Sequence, residues 1–239
     1  MISDFKIVLE KISNIFFTKR CEFCGEVIEF DKTVCGDCLF LPVNKPPYCI
    51  YCGLSKDKCN CDKHKNEYKQ VIAPYLYQDS VKRAVLNFKS AYMPFLSKRF
   101  GADIAKCITE NYFMEFDMVT YTPLSKKSLR KRDYNQAYLL AREVSKRLDI
   151  PLVDLLIKVR KTDEQKTLSA QKRKTNVYGA FDLKDKDIVF GKRILLIDDV
   201  KTTGSTLNEC AKMLNIYGAE SVWAATLAVA VPKEKGDRK

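Results

Sequence analysis

Two groups of residues in this chain have the types and spacing to do chemistry. The first is the stretch "ILLIDDVKTTGST", from Ile194 to Thr206. Its aliphatic run reads as a short buried strand, and Asp198 and Asp199 at the end are costly unless they emerge at the sheet's edge or meet a partner. The strand therefore ends in a site. Free amides at the start of a following helix, with the hydroxyls of Thr202, Thr203, Ser205 and Thr206, would surround a phosphate, and Gly204 would allow close approach. Asp198 and Asp199 repel a phosphate, so they suit the hydroxyls of a sugar that carries it, directly or through a metal. Thr206 to Glu209 also fits a helix capping box, but a cap needs one such residue rather than two acids and four hydroxyls.

The second group is a run of cysteines, "CEFC", "CGDC", "CIYC" and "CNC", which holds eight of the chain's ten. No export signal precedes them, so the expected compartment is the reducing cytoplasm, where paired CxxC spacing suits tetrahedral zinc better than disulfides. Cys24 and Cys52 each continue into glycine, as a knuckle requires when its backbone turns amides toward the sulfurs. The simplest assignment is sequential: Cys21, Cys24, Cys35 and Cys38 on one ion, Cys49, Cys52, Cys59 and Cys61 on a second. A crossed arrangement stays open, and His64 can replace one sulfur of the second set. Four thiolates close the tetrahedron and leave no position for water, so both Zn2+ sites are expected to be structural, as in a double zinc ribbon. Cys107 and Cys210 fall on helical faces and are expected to be buried free thiols without chemistry.

These groups need a scaffold. "VIAPYLY" reads as a strand, "DSVKRAVLNFK" as a short helix, and "LSKRFGADIAKCITENYF" as a longer one with Leu96, Phe100, Ile104 and Ile108 on one face. The strand "DMVTYTPL" precedes the helix "NQAYLLAREVSKRL", whose Ala137, Leu140, Ala141, Val144 and Leu148 share a stripe. "ILLIDDV", a helix through Leu207, Cys210, Leu214 and Tyr217, and the strand "SVWAATLAVA" complete the series. The fold class is therefore α/β, a mostly parallel sheet with helices on both faces, where ligands bind beyond the carboxyl ends of the strands. The expected division is an N-terminal amphipathic helix over 1–18, the cysteine-rich double ribbon over 19–66, the α/β domain over 67–233 and a solvated tail over 234–239.

With 239 residues, 46% of them apolar, the chain can build a real core, and its net charge of +12 points to an anionic partner. In the first twenty residues Asp4, Lys6, Glu10 and Lys11 interrupt the apolar positions, so the stretch lacks the continuous apolar core expected of a signal peptide, and Phe5, Leu9, Ile12 and Phe16 fall at helical spacing. No stretch reaches the about 20 apolar residues of a membrane span, so the expected protein is soluble and cytoplasmic.

The stretch around Asp198 and Asp199 resembles the ribose-5-phosphate signature of the type I phosphoribosyltransferases, which bind 5-phosphoribosyl-1-pyrophosphate (PRPP). The resemblance implies that Asp198 and Asp199 hold the ribose hydroxyls and that Lys201, Thr202, Thr203, Gly204, Ser205 and Thr206 cradle the 5-phosphate. It also implies that the loop at "YTPLSKK" meets the pyrophosphate with Mg2+. More narrowly, "PLSKKSLRKRDYNQAYLLA", then "KTDEQKTLSAQKRKTNVYGAF", then the signature, all behind a cysteine-rich head, is similar to the ComF family of competence proteins. In the second of these segments the matching positions are Gln165, Leu168, Arg173, Asn176, Gly179, Ala180 and Phe181. The chain departs from the family pattern at Asp133, where a glycine is usual. Purine-salvage relatives carry an aspartate where this chain has Thr202, which argues against hypoxanthine or guanine salvage.

Breaking the ribose C1 to pyrophosphate bond leaves positive charge on the sugar and negative charge on the leaving group, so cations at the pyrophosphate and a lid over the sugar would assist it. Lys126, Lys127, Arg130, Lys131 and Arg132 are the candidate cations for pyrophosphate or nucleic acid, and residues 161–174 the candidate lid, unless that run is only a solvated basic loop. The resemblance implies a role in natural transformation, handling incoming single-stranded DNA and working with other DNA-uptake proteins. A metabolic phosphoribosyltransferase acting on an amine or base, and a binding module without turnover, are the alternatives. Tyr134 and Tyr138 would stack bases in the nucleic-acid reading and pack in the core otherwise.

Overall fold

The computed structural model describes residues 18–61, 65–90, 93–159 and 179–232. The expected N-terminal helix apart from residue 18, His64, the lid segment 161–174 and the tail lie outside these residues, as do the family matches at Gln165, Leu168, Arg173 and Asn176.

In chain order the elements are β1 (Val71–Ile72), β2 (Tyr75–Leu76), α1 (Asp79–Ser90), α2 (Ser97–Asn111), β3 (Met118–Tyr121), α3 (Lys126–Arg132) and α4 (Gln136–Leu148). There follow β4 (Leu156–Lys158), β5 (Phe181–Leu183), β6 (Arg193–Lys201), α5 (Ser205–Ile216) and β7 (Ser221–Val229). The central sheet is parallel throughout: β3 pairs β6, β6 pairs β7, and β7 carries both β1 and β2 on its far side. "VIAPYLY" is thus not one strand but two short pieces separated at Pro74, which has no amide proton to give to a ladder.

β6 shows why the sheet needs cover on both faces. Leu195 and Ile197 pack into the layer of α1, α2 and α4, whereas Ile194 and Leu196 pack against α5. All four are fully buried, as the period-two geometry of a strand between two helical layers requires. Apart from this sheet, β4 and β5 form an antiparallel pair, Leu156 opposite Leu183 and Lys158 opposite Phe181.

α2 and α4 approach closely because Gly101 faces Glu143. A Cβ added at Gly101 would lie 2.3 Å from Glu143 Cβ, and that carboxylate is already fixed by Arg147 at 2.7 Å. Gly101→Ala is expected to cost about 1–3 kcal/mol, as overpacking of a tight contact does, and urea unfolding measures it.

The cysteine-rich head shares the core of the sheet. Cys21, Phe23, Cys24 and Cys38 belong to the same buried cluster as Phe88 and Phe100. The Phe23 ring meets Tyr75 and Phe100 edge-on, each at 5.3 Å. Buried Asn44 joins the two parts by donating to the carbonyls of Gly53 at 2.8 Å and Ala73 at 3.0 Å. Its Oδ1 accepts from the Ser55 amide at 2.8 Å. No helix among the described residues is long and apolar enough to cross a membrane.

Candidate functional site

Asp198 and Asp199 stand at the carboxyl end of β6, as the run of aliphatic residues before them dictates. Asp198 accepts the Thr122 hydroxyl at 2.7 Å and the Asp199 amide at 2.8 Å. Burial pushes its carboxyl up to about 7, with the charge of Asp199 adding to the rise, while Thr122, the Asp199 amide and Lys89 oppose it. Asp199 is paired instead with Lys89 Nζ at 2.9 Å. The neighbours are therefore unequal: one carboxyl holds its proton near neutral pH, and the other has a cation of its own.

Beyond β6 the chain turns at Gly204, whose φ of +80° lies in the left-handed region, and α5 begins at Ser205. The N-cap Gly204 has no side chain to cap with, and the Thr203 hydroxyl accepts the Ser205 amide at 3.3 Å, so the capping box of Thr206 and Glu209 is not formed. Thr203 and Ser205 exchange a hydroxyl hydrogen bond at 2.9 Å, and Thr202, Thr203 and Thr206 are exposed. The first-turn amides of a helix have no carbonyl partner within it, so this loop presents hydroxyls and amides together to an anion. Lys201 differs from the rest of the run: it is buried, with its ammonium beneath Gly204.

The five candidate cations fall on or beside α3, which the sequence pattern did not reveal as a helix. Ser125 caps it by accepting from the Ser128 amide at 3.1 Å. Lys126, Lys127, Arg130 and Lys131 are exposed, and among the described residues none of the five makes a carboxylate ion pair. Asp133, in the family's glycine position, adopts φ +60° and donates its amide to Leu129 O at 2.8 Å, closing the helix. Aspartate thus makes the left-handed turn that glycine would make more cheaply.

Beside α3 lies a cleft of about 620 Å³ whose lining includes Lys126, Tyr121, Tyr138 and Lys184. Tyr138 meets Tyr121 edge-on at 5.3 Å and remains partly exposed. Tyr134 has the packing role: it lies tilted on Phe88 at 5.9 Å, and its hydroxyl donates to the Phe88 carbonyl. Asn135 links the cleft to the aspartates. Its Oδ1 caps α4 through the Ala137 amide at 2.9 Å, and its Nδ2 donates to Thr122 O at 3.0 Å.

The cysteines group sequentially, Cys21, Cys24, Cys35 and Cys38 in one set and Cys49, Cys52, Cys59 and Cys61 in the other, the four sulfurs of each set lying within 4.8 Å of one another. Zn–S bonds of about 2.3 Å in a tetrahedron require sulfur edges of about 3.8 Å. Cys24 and Cys35 are 3.6 Å apart, Cys49 and Cys61 3.8 Å, and Cys52 and Cys59 3.5 Å, so the residues fit the ion. Within the first set the Cys21 sulfur accepts the amides of Cys24 at 3.5 Å and Cys35 at 3.4 Å. Burial raises that thiol, but these amides and that of Phe23 more than offset it and bring it down to about 7. Cys49 comes down to about 7 in the same way, through the amides of Cys52 and Tyr51. Burial drives Cys24, by contrast, up to about 11. Each cluster thus has a leading thiolate. Cys107 and Cys210 are buried free thiols raised by desolvation.

Lys89 and Thr122 were not singled out from the sequence, and Asn135 entered only as part of the segment Arg132 to Gln136 that resembles the family. Their roles have no local signal, because α1, the end of β3 and the start of α4 meet the aspartates only in the folded chain.

Residues 135–239 match the phosphoribosyl transferase domain family. The chain is 30% identical to "Competence protein F" of Haemophilus influenzae over 225 residues, which cover 89% of this chain and 98% of that protein. It is 27% identical to "DNA utilization protein YhgH" of Escherichia coli over 203 residues, 84% of this chain and 86% of that one. With "Competence protein ComFC" of Bacillus subtilis it shares 31% identity over 160 residues, 66% of this chain and 64% of that one. A chain that matches a competence protein over nearly its whole length, behind two cysteine clusters and with a phosphoribosyl transferase domain, belongs to the ComF family.

Proposed function

We propose that the protein binds PRPP with magnesium at the end of β6 and acts in natural transformation on incoming single-stranded DNA. The observation that carries the first part is the pairing of two carboxylates with a hydroxyl-rich turn into α5. Asp198 and Asp199 accept hydrogen bonds from the ribose hydroxyls, and the loop 202–206 takes the 5-phosphate through its amides and hydroxyls. Carboxylates with free oxygens also suit a hard cation, and magnesium, when bound with PRPP, would neutralise charge on the pyrophosphate. Ionised Asp198 is the form that accepts from the sugar, so affinity is expected to weaken as pH falls below about 7.

The test is thermal unfolding with magnesium and PRPP. A ligand at about 100 times its dissociation constant stabilises by about 2.7 kcal/mol, which a protein of this size shows as a rise of a few degrees. No shift with saturating PRPP would set this reading aside.

The DNA role rests on the chemistry of α3 and the cleft beside it. Unpaired cations track phosphates, and the partly exposed Tyr138 offers a ring face on which a base can stack. Tyr138→Ala is expected to weaken oligonucleotide binding about 5- to 100-fold at any sequence. Lys126→Glu with Lys131→Glu is expected to weaken it and flatten its salt dependence, by fluorescence anisotropy at several salt concentrations. Unchanged affinity in both variants would exclude this face. The names of the relatives, two competence proteins and a DNA utilization protein, support the same direction.

A further inference from the structure

Lys201 ends β6, and its side chain is only 6% exposed. A buried ammonium is costly without a counter-charge, yet among the described residues Lys201 has no carboxylate partner. Lys201 pairs with Val229 across the sheet, and Val229 shares a small buried cluster with Leu54 against which Cys52 packs, so the second cysteine set lies beside this end of β6. Burial lowers the Lys201 ammonium, and the Cys52, Cys61 and Cys49 sulfurs oppose that lowering. Its other neighbour is the phosphate loop. A Cβ added at Gly204 would lie 3.0 Å from Lys201 Cε, 3.5 Å from its Nζ and 3.2 Å from the Tyr68 hydroxyl. Tyr68 is itself buried, with no hydrogen-bond partner for its hydroxyl among the described residues.

The segment that leads into Tyr68 is hydrogen-bonded to both sites. Asn66 donates to Tyr51 O, in the knuckle of the second cluster, at 2.7 Å. The Glu67 amide donates to Asn208 Oδ1 at 2.8 Å, and Asn215 donates to Glu67 O at 2.6 Å, fastening the segment to α5. Gly53, beside Cys52, packs so tightly on β1 that an added Cβ would lie 2.9 Å from Val71 Cγ1. The second cluster is therefore tied to the segment before β1, to β1 and to β7 beside Lys201, whereas Cys21, Cys24 and Cys38 of the first cluster pack with Phe88 and Phe100.

We propose that the second cluster, with zinc bound, is the anionic anchor that holds the Lys201 ammonium beneath Gly204, so that its metal occupancy sets the loop's affinity for a phosphate monoester. Four thiolates on one divalent ion carry two net negative charges, which offset the buried cation. Lys201 is then a positioning residue: it keeps its charge under the loop without being one of the loop's exposed donors. By linkage the effect is reciprocal, and a phosphate in the loop tightens zinc in that cluster alone. This inference rests on the reading of the loop as a phosphate site.

The experiment titrates ribose 5-phosphate calorimetrically into zinc-loaded full-length wild type, Lys201→Met, Lys201→Arg and Cys61→Ser, with zinc content and unfolding midpoint measured on each. Lys201→Met is expected to keep about two zinc ions and bind about tenfold more weakly, Lys201→Arg to recover most of the loss, and Cys61→Ser to lose one zinc and bind about tenfold more weakly. A chromophoric chelator should withdraw one of the two zinc ions of wild type more slowly when ribose 5-phosphate is present, and this protection should vanish in Lys201→Met. Wild-type affinity in Lys201→Met, or in single-zinc Cys61→Ser, would overturn the coupling while leaving the phosphate site in place. Failure of zinc-loaded wild type to bind ribose 5-phosphate would overturn the phosphate reading and the coupling with it.

Discussion

Asp198→Asn is expected to stabilise the unliganded protein above about pH 7 by about 1–2 kcal/mol while removing most of its affinity for PRPP. The Asp198 carboxyl is raised from 3.8 to about 7, chiefly by burial and then by Asp199. A folded state that holds a proton more tightly than the unfolded chain loses stability as pH rises from about 4 to about 7, and the full cost is present above that range. Asparagine cannot ionise, so the cost disappears, and urea unfolding near pH 5 and pH 8 should show a difference that is clearly larger at the higher pH.

Asp199→Asn has the opposite expected sign. It leaves Lys89, which is 23% exposed, without its partner, and should destabilise by about 1–2 kcal/mol after allowance for solvent. Binding falls in both variants, because each carboxylate hydrogen bond to a sugar hydroxyl contributes about 1.5–3 kcal/mol, and the double variant should lose at least about 100-fold. Retained PRPP binding in the double variant would remove the ribose role of the pair.

Removal of zinc is expected to have a larger effect on stability than any single substitution. In a separate appendage, loss of metal would unfold the appendage alone. Here Cys21, Cys24 and Cys38 lie in one buried cluster with Phe88 and Phe100, so ligand release opens the core beneath α1 and α2. Structural zinc sites contribute binding free energies of about 10–16 kcal/mol in small domains, and a loss of at least about 5 kcal/mol is expected here. Freshly purified protein should carry about two zinc ions per chain, and chelation under reducing conditions should lower the urea midpoint of the whole chain. An unchanged midpoint after complete removal would show that the clusters do not bear on the core.

The parts of the molecule that were legible in its sequence are those whose signal is local. Ile194 to Asp199 declare a strand and a site together because burial and charge change within six residues. The cysteines declare metal sites because a knuckle sets two ligands with two residues between them, whereas the choice of sequential over crossed grouping came only from the folded chain. Helices α2 and α4 have apolar stripes at helical period, and their buried faces follow those stripes. α3 has no such stripe: its seven residues include five cations, and only its cap and its left-handed stop at Asp133 identify it. β4 and β5 were missed because the residues that pair, Leu156 with Leu183, are separated by a long intervening segment. Lys89, Thr122 and Tyr68 were hidden for the same reason, since each acquires its role only from a partner brought close by the parallel sheet.

The central claim is that the turn after β6 is a PRPP site, and calorimetric titration of the zinc-loaded protein tests it most directly. PRPP with magnesium, ribose 5-phosphate and pyrophosphate are each titrated in turn. The account predicts saturable binding of one PRPP per chain, weaker but measurable binding of ribose 5-phosphate, and the weakest binding for pyrophosphate alone. No heat of binding with PRPP, or pyrophosphate binding as tightly as the whole molecule, would contradict it.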